Sequence, residues 1–467
     1  MPLLPERHYI YYDYTISICS TCLRRVSAKI VFEDDCVYML KNCPDHGFEK
    51  NLIATDIEYY KRIRNYNKRS ETPLKFNTPT VYGCPYDCGL CVDHEQHSCL
   101  TLIEITDRCN LSCPTCYASS SPSHGRHRTM DEINKMFDLI VANEGRPDVI
   151  QISGGEPTIH PDFFEILDEA KKRPIKHLML NTNGIRIAQD EEFVKRLAGY
   201  MPDFEIYLQW DSFENTVLQK LRGADLVDVR MKAIEHLNKY NLSTTLVVTV
   251  QRNVNNKETG KIIEYALQQR CVRGVTFQPV QVAGRNEKFD AAEERYTLTE
   301  VRRDILEQTN YFISDDLIPV PCNPDALVMG YALKINGEII PLTRFINPAD
   351  LLDNSKNTIV YEQDERLKQY MLKLFSTANS VDAVSEEMHS LLCCLPMVQA
   401  PELSYENLFR IIIMNFIDAY NFDVRAIKKS CVHIVHGNKI IPFETMNLFY
   451  RDEQKSNLAT LRDLKLV

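Results

Sequence analysis

Short apolar runs alternate with amphipathic segments through the middle of the chain, starting at residue 100. Six of these runs have the length and the β-branched content of strands that are buried on both faces. They are LTLIEI at 100–105, DVIQIS at 148–153, HLMLN at 177–181, EIYLQ at 205–209, TTLVVTV at 244–250 and GVTFQPV at 274–280. The segments between them follow helical periodicity, so the alternation predicts an α/β fold of six βα units in a partial or full parallel barrel.

The first helical segment also carries a start signal. Thr129 with Glu132 three residues later is a capping box, and apolar residues from Ile133 to Ile140 follow on one helix face. Polar residues that follow each strand should then meet at one end of the barrel, because the chemistry of such barrels gathers at the carboxyl ends of the strands.

Changes in this pattern divide the chain into three regions. Residues 1–75 combine a short hairpin pattern with closely spaced cysteines and predict a small metal-binding domain. Residues 76–290 contain the barrel, preceded by a cysteine-rich segment at 84–99. Residues 291–467 lose the βα rhythm and predict a C-terminal α+β region for substrate or auxiliary groups, including a helix over 402–420.

Composition and charge exclude several classes of protein. With 467 residues, 44% hydrophobic and 25% charged, the chain is an ordinary globular sequence rather than a disordered one. A net charge of -10 argues against a nucleic-acid partner, because phosphate binding needs an excess of Lys and Arg. The sequence shows neither a secretory leader nor an apolar run long enough to span a bilayer, which favours the cytoplasm with at most peripheral membrane contact.

Sixteen cysteines are the unusual feature, and eleven of them fall within the first 116 residues. In a reducing compartment such clusters hold metal more often than disulfides. The pair Cys19 and Cys22 matches the later pair Cys43 and His46, which together offer the four ligands of a mononuclear iron or zinc site. Cys36 is a less suitable ligand, and an ordinary free thiol is the simpler interpretation there.

The strongest motif is the loop after the first predicted strand, where Cys109, Cys113 and Cys116 are spaced by three and two residues. Three thiolates on a tight loop can bind three irons of a [4Fe-4S] cluster and leave the fourth iron open to a ligand. A structural zinc knuckle is the alternative, although zinc prefers four protein ligands in paired Cys-x2-Cys units.

A second group of four cysteines lies just before this strand and comprises Cys84, Cys88, Cys91 and Cys99. Four thiolates can close all four irons, so this group predicts an auxiliary [4Fe-4S] cluster that relays electrons or binds substrate. A four-thiolate zinc site is the alternative.

The segment SGGEP at 153–157 ends the second predicted strand, and its pairing with the Cys109 loop resembles the radical S-adenosylmethionine (SAM) superfamily. That resemblance implies a radical SAM (β/α)6 partial barrel in which SAM chelates the open iron and is cleaved to a 5'-deoxyadenosyl radical. It implies that Gly154, Gly155 and Glu156 hold the methionine amino group and that the backbone at Tyr117 lies against the adenine. Three further polar residues at strand ends are expected to contact the ribose or the carboxylate of SAM: Asn183, Gln209 and Asp211. Gln278, at the end of the sixth strand, is expected to point toward the same end of the barrel. A turn or loop cap is the alternative for each of these four.

Longer stretches resemble one branch of this superfamily, the tetraether lipid synthases. They include CPYDCGLC at 84–91, CNLSCPTC at 109–116, LNTNGIR, YLQWDS and FQPV with Gly284 and Arg285. The resemblance implies a rubredoxin-like mononuclear iron, auxiliary clusters and coupling of two lipid chain ends. The chain departs from the expected branch by having Ala326, Ser430 and Glu444 where further cysteines are expected. Two interpretations stay open for the remaining late cysteines, which are ligands of a further cluster or ordinary core or surface thiols: Cys322, Cys393, Cys394 and Cys431.

We therefore expect a radical SAM enzyme that abstracts hydrogen from unactivated carbon, with a lipid substrate and a one-electron donor such as ferredoxin or flavodoxin. A radical SAM methylase or peptide-modifying enzyme is the alternative, because a fold does not fix a substrate. A non-enzymatic protein that binds metal clusters for structure is the competing class, although SGGEP and the strand-end polar residues would have no purpose there.

Overall fold

All six predicted strands are present in the structure, a computed structural model that describes residues 7–66, 71–287, 289–335, 338–344, 347 and 407–466. Among these residues, the elements of the barrel are β5 (Leu100–Thr106), β6 (Thr115–Cys116), α2 (Met130–Glu144), β7 (Val149–Gly154), α3 (Phe163–Lys171), β8 (His177–Thr182), α4 (Ile185–Gln189), α5 (Glu191–Ala198), β9 (Phe204–Gln209), α6 (Asn215–Arg222), α7 (Val227–Lys239), β10 (Thr244–Val250), α8 (Thr259–Gln268) and β11 (Val272–Pro279). Strands β5, β7, β8, β9, β10 and β11 are parallel neighbours in that order.

The N-terminal region forms its own four-stranded antiparallel sheet. Its elements are β1 (Ile10–Ile18), β2 (Arg25–Glu33), β3 (Cys36–Cys43), β4 (Gly47–Ala54) and α1 (Ile57–Arg62). Buried Lys41 joins this sheet to the C-terminal region, because its ammonium donates to the carbonyls of Ile18 at 2.9 Å and Ala419 at 2.8 Å. Glu49 balances the charge of this lysine at 3.0 Å.

The C-terminal region extends the barrel sheet on both sides. Its elements are β12 (Arg285–Asn286), α9 (Ala291–Glu294), α10 (Leu298–Gln308), β13 (Ile318–Pro319), β14 (Leu327–Ile335), β15 (Glu338–Pro341), β16 (Leu408–Met414), α11 (Val424–Lys428), β17 (Val432–His436), β18 (Lys439–Pro442), α12 (Phe443–Thr445) and α13 (Lys455–Leu466). Strand β16 pairs in parallel with β11, and β17 pairs in parallel with β5. The sheet order is β13, β14, β16, β11, β10, β9, β8, β7, β5, β17, β18, and β15 pairs with β14.

The predicted helix over 402–420 is wrong where the structure describes it, because residues 408–414 form strand β16. Ile411, Ile412 and Ile413 are consecutive β-branched residues, which suit a strand between two neighbours better than a helix. Residues 402–406 lie outside the described residues.

The capping box is confirmed at the start of α2. The Thr129 hydroxyl accepts from the Glu132 amide at 3.3 Å, and the Glu132 carboxylate accepts from the Thr129 amide at 2.8 Å. Ile133, Phe137 and Ile140 are buried against the sheet, as the periodicity predicts. In the described part of the chain, we find no helix with the length and apolar content needed to cross a bilayer.

A buried ion pair attaches strand β16 to the barrel. One guanidinium nitrogen of Arg410, Nη2, lies 2.5 and 2.6 Å from the two carboxylate oxygens of Glu205 on β9. His177 lies 3.4 Å from the same carboxylate, and the Thr245 hydroxyl also donates to it. Burial alone would raise the pKa of Glu205, but the neighbouring cations and donors hold it well below its usual value.

Removing the cation from this pair should destabilise the fold. We expect Arg410→Met to lower the free energy of unfolding by about 3–5 kcal/mol, because the Glu205 carboxylate stays buried without its guanidinium. Urea denaturation followed by circular dichroism measures the change. The control is Lys135→Met, which breaks an exposed pair with Asp131 at 2.6 Å and should change the free energy of unfolding far less, because water screens the pair. Equal losses in the two variants would contradict this role of Arg410.

Candidate active site at the carboxyl ends of the barrel strands

The three cysteines of the first loop line one cavity at the carboxyl ends of the strands, as predicted. Cys109 is buried, and Cys113 and Cys116 are partly buried beside it. Burial, reinforced by the charge of Glu156, raises the pKa of the Cys109 thiol to about 12. A raised pKa favours the protonated Cys109 thiol, so binding of a metal cluster there would release its proton.

Two glycines hold this loop against the next strand. The amide of Gly155 donates to the carbonyl of Thr106 at 2.8 Å, and the amide of Glu156 donates to the carbonyl of Arg108 at 2.9 Å. Gly154 has a φ of +130°, and a Cβ there would lie 2.2 Å from the Thr106 oxygen. A Cβ on Gly155 would lie 2.1 Å from the Arg108 oxygen. Both glycines also line the cavity, so the motif fixes the cysteine loop and shapes the cavity wall.

The opposite side of the loop is held by Gly284 and Arg285. Strand β12 pairs with β6, which places Arg285 opposite Cys116. The Arg285 guanidinium donates to the carbonyl of Cys113 at 2.5 Å and to that of Ser120 at 2.7 Å. The backbone of the cysteine loop is therefore fixed from two sides, which leaves its thiols free to bind metal.

Glu156 is buried in the cavity wall and accepts four hydrogen bonds. Thr158 donates to Oε1 twice, from its amide at 3.2 Å and from its hydroxyl at 2.6 Å. The hydroxyl of Thr182 also donates to Oε1, at 2.7 Å. Its Oε2 accepts from the amide of Asn183 at 2.8 Å. Because a carboxylate oxygen has two lone pairs, Oε2 retains capacity for a further donor such as an amino group.

Asn183 and Tyr117 lie where the sequence predicts, in the cavity wall. The Asn183 side chain donates to Oδ1 of Asn110 in the cysteine loop at 2.7 Å. The Tyr117 hydroxyl lies 3.3 Å from the Ser153 hydroxyl, and its ring packs against Phe443 with centroids 4.9 Å apart. Both residues thus connect the loop to its surroundings as well as facing the cavity.

Carboxamides from four strands face the same cavity: Gln151 on β7, Asn181 on β8, Gln209 on β9 and Gln278 on β11. Gln209 donates to the Asn181 oxygen at 3.1 Å, and Asn181 donates to the Ser153 hydroxyl at 3.2 Å. Gln278 donates to the Tyr207 hydroxyl at 3.1 Å. Sequence reasoning missed Gln151 and Asn181, although a carboxamide inside an otherwise apolar strand is a signal that could have found them.

Asp211 does not face the cavity, contrary to the role expected for it. Its carboxylate is fully buried and pairs with Arg222 at 2.7 Å and Arg230 at 3.0 Å. Burial alone would raise the pKa of Asp211, but the two guanidiniums lower it below its usual value. The aspartate positions Arg222, which lines the cavity and which sequence reasoning missed. Arg222 also donates to the Gln209 oxygen at 3.0 Å.

The predicted group of four cysteines before β5 is divided in the structure. Cys84, Cys88 and Cys91 lie on one loop that packs against the C-terminal region, where the Cys88 amide donates to the Tyr450 hydroxyl at 2.8 Å. Burial raises the pKa of Cys88, and the neighbouring charges of Cys84 and Cys91 raise it further. Cys99 lies instead with two late cysteines, Cys322 and Cys431. Cys393 and Cys394 lie outside the described residues.

The N-terminal ligand set comes together as predicted. The ligand atoms of Cys19, Cys22, Cys43 and His46 lie within 4.8 Å of one another. The imidazole Nδ1 of His46 is 3.6 Å from each of the thiols of Cys19 and Cys43, and the thiols of Cys22 and Cys43 are 3.8 Å apart. Cys36 lies outside this group, at the start of β3. Three thiols and one imidazole at these separations fit a tetrahedral ion.

Comparison with known proteins identifies the class of protein that this fold and site define. The model of the radical SAM superfamily matches residues 103–266, and that of the HMPTM N-terminal zinc ribbon domain matches residues 11–55. The chain belongs to the radical SAM superfamily and is an enzyme of that class. Membership implies SAM and a [4Fe-4S] cluster as cofactors.

A relative from Methanocaldococcus jannaschii is similar over nearly the full length. This 7,8-dihydro-6-hydroxymethylpterin dimethyltransferase is 32% identical over 95% of each chain. The GTP 3',8-cyclase of Actinobacillus succinogenes is 29% identical, over 35% of this chain and 48% of its own. SuiB of Streptococcus suis bound to S-adenosylmethionine is a structural neighbour with 16% identity and a TM-score of 0.37, covering 44% of this chain and 46% of its own.

These comparisons do not support the expected tetraether lipid synthase. The relative that matches the whole chain is named for a pterin and for methyl transfer. The radical SAM part of the prediction is confirmed, the methylase alternative fits better than lipid coupling, and none of the relatives named above is named for a lipid.

Replacing one thiol of the Cys109 loop should stop SAM cleavage. We expect Cys113→Ala to abolish formation of 5'-deoxyadenosine by anaerobically reconstituted, reduced protein, because a cluster with two thiolate ligands is not retained. Chromatography of the nucleoside product measures the loss. The control is Cys36→Ala, which lies outside the N-terminal ligand group and should keep the activity. Activity retained in Cys113→Ala would refute this assignment of the SAM-binding loop.

Proposed function

We propose that this protein is a radical SAM methyltransferase that acts on a reduced pterin. The observation that carries the proposal is the 32% identity, over 95% of each chain, with a 7,8-dihydro-6-hydroxymethylpterin dimethyltransferase. The likeness extends beyond the superfamily domain, because the family model alone covers only residues 103–266.

The residues around the cavity fit the required cofactors. Cys109, Cys113 and Cys116 would hold three irons of a [4Fe-4S] cluster, whose reduced form supplies an electron to SAM and thereby a carbon-centred radical. Glu156 offers a carboxylate oxygen to the SAM amino group, and the Arg222 guanidinium offers a cation to a carboxylate. Tyr117 and Phe443 form an aromatic wall that excludes water from one side.

The carboxamides of the cavity wall favour a heterocyclic substrate over an alkyl chain. Gln151, Asn181, Gln209 and Gln278 each present both donors and an acceptor. A pterin edge carries ring nitrogens, an amino group and a carbonyl that can pair with such groups. A lipid chain would offer no partner to the donor and acceptor capacity that these carboxamides do not already use within the cavity wall, whereas a pterin edge would.

The remaining cofactors and partners belong to the same proposal. The Cys84 loop, with Cys88 and Cys91, would hold an auxiliary cluster, and the N-terminal group would hold one zinc or iron ion. A one-electron donor such as ferredoxin or flavodoxin would reduce the SAM-binding cluster.

Incubation with a pterin tests the proposal directly. Anaerobically reconstituted protein, supplied with SAM, a reductant and 7,8-dihydro-6-hydroxymethylpterin, should yield products heavier by one or two methylene units in mass spectrometry. Cys113→Ala protein is the matched control and should yield none. A parallel arm replaces the pterin with archaeal-type diether lipid. Formation of a coupled lipid without any methylated pterin would overturn the pterin proposal and restore the lipid hypothesis.

A further inference from the structure

Three buried cysteines that are distant in sequence meet at the amino-terminal end of the barrel. Cys99 precedes β5, Cys322 lies between β13 and β14, and Cys431 precedes β17. Their thiols lie within 4.8 Å of one another, and each residue is at most 1% exposed. Strand β5 runs from this group to the loop of Cys109, so about 20 Å of strand separates the two thiol groups.

The separations of these thiols are closer to those around one ion than to those around a cluster. Two thiolates on the same tetrahedral ion, each bonded at about 2.3 Å, lie about 3.8 Å apart. The Cys322 and Cys431 thiols are 3.1 Å apart, and the N-terminal thiols of Cys22 and Cys43 are 3.8 Å apart. In a cubic cluster each thiolate binds a different iron and points away from the cube, which keeps the sulfurs farther from one another.

We propose that Cys99, Cys322 and Cys431 bind a single divalent ion, zinc or ferrous iron, with His97 as the fourth ligand. His97 Nε2 lies 3.4 Å from the Cys99 thiol, about the ligand separation seen in the N-terminal group, but it is not within 4.8 Å of all three thiols, so the imidazole would move toward the ion. Three soft thiolates with one imidazole are a donor set that tetrahedral zinc or iron prefers over calcium or magnesium.

The second ring nitrogen of His97, Nδ1, lies beside a carboxylate, which is a common partner for the second nitrogen of a metal-binding histidine. This Nδ1 lies 3.2 Å from the carboxylate of Glu144, at the end of α2. The other oxygen of this carboxylate accepts from the Ser98 amide at 3.1 Å. Glu71 also approaches His97 Nε2, at 3.8 Å, and would yield to an ion at that nitrogen. A carboxylate on the far side of an imidazole fixes its orientation and increases the basicity of the nitrogen that binds metal.

The ion would add a link between three segments that are distant in sequence and already in contact. The Leu100 amide donates to the Cys431 carbonyl at 3.1 Å, and the Val149 amide donates to the Cys99 carbonyl at 3.2 Å. The site therefore lies where β5 begins, between its neighbours β17 and β7. A bound ion would fix this edge of the sheet, and with it the C-terminal region, by linking ligands from three separate segments.

Metal analysis of the full chain tests the site. The double variant Cys322→Ser, Cys431→Ser should lose one equivalent of zinc or iron per chain, with acid-labile sulfide unchanged. The matched control is Cys271→Ser, a buried cysteine outside both groups, which should lose none. Unchanged metal content in the double variant would overturn the proposal. So would a loss of sulfide, which indicates a cluster, or a wild-type mass lower by two hydrogens, which indicates a disulfide.

A second measurement keeps the test independent of how well the double variant folds. The variant Cys19→Ser, Cys22→Ser removes the N-terminal site. When this variant is loaded with Co2+, its spectrum should still show the thiolate charge-transfer and visible bands of one tetrahedral ion. Adding His97→Ala should shift the visible bands, because an imidazole ligand is replaced. Absence of tetrahedral bands in the first variant refutes the site, and bands unmoved by His97→Ala refute His97 as its ligand.

Discussion

The position of one loop backbone controls the chemistry of this protein. In the proposed enzyme the thiols of Cys109, Cys113 and Cys116 bind metal, so they cannot also hold the loop in place. Backbone contacts do so instead: Gly154 and Gly155 bring β7 against one side, and Arg285 binds carbonyls on the other. Because a Cβ at either glycine would meet a carbonyl oxygen at 2.1–2.2 Å, larger side chains there would displace the loop from the cavity.

Much of this arrangement can be predicted from sequence because its signals are local. The six apolar runs, the capping box of Thr129 and the short cysteine spacings each act within one segment, and the structure confirms the strands and the cap. The barrel then brings strand ends together, which explains why Glu156, Asn183 and Gln278 all reach the cavity.

The wrong predictions concern contacts between segments that are distant in sequence. Cys99 was grouped with its near neighbours in sequence, yet its thiol partners are Cys322 and Cys431. The segment of β16 predicts a helix because its partners β11 and β14 are not visible in its own pattern. The position of Asp211 after a strand predicts a cavity residue, but its buried carboxylate is paired with Arg222 and Arg230, which line the cavity instead. Local motifs indicate the superfamily, whereas the carboxamides of the cavity wall lie inside strands whose pattern is otherwise apolar.

The central claim is that the Cys109 loop presents an open iron to a cavity that binds SAM. Electron paramagnetic resonance of the reduced protein, with and without SAM, tests this claim directly, and protein lacking the Cys84 loop thiols isolates the signal of the SAM-binding cluster. The account predicts that SAM shifts the g values of that signal, because the ligand binds to one of its irons. A cluster signal that SAM leaves unchanged would contradict the account.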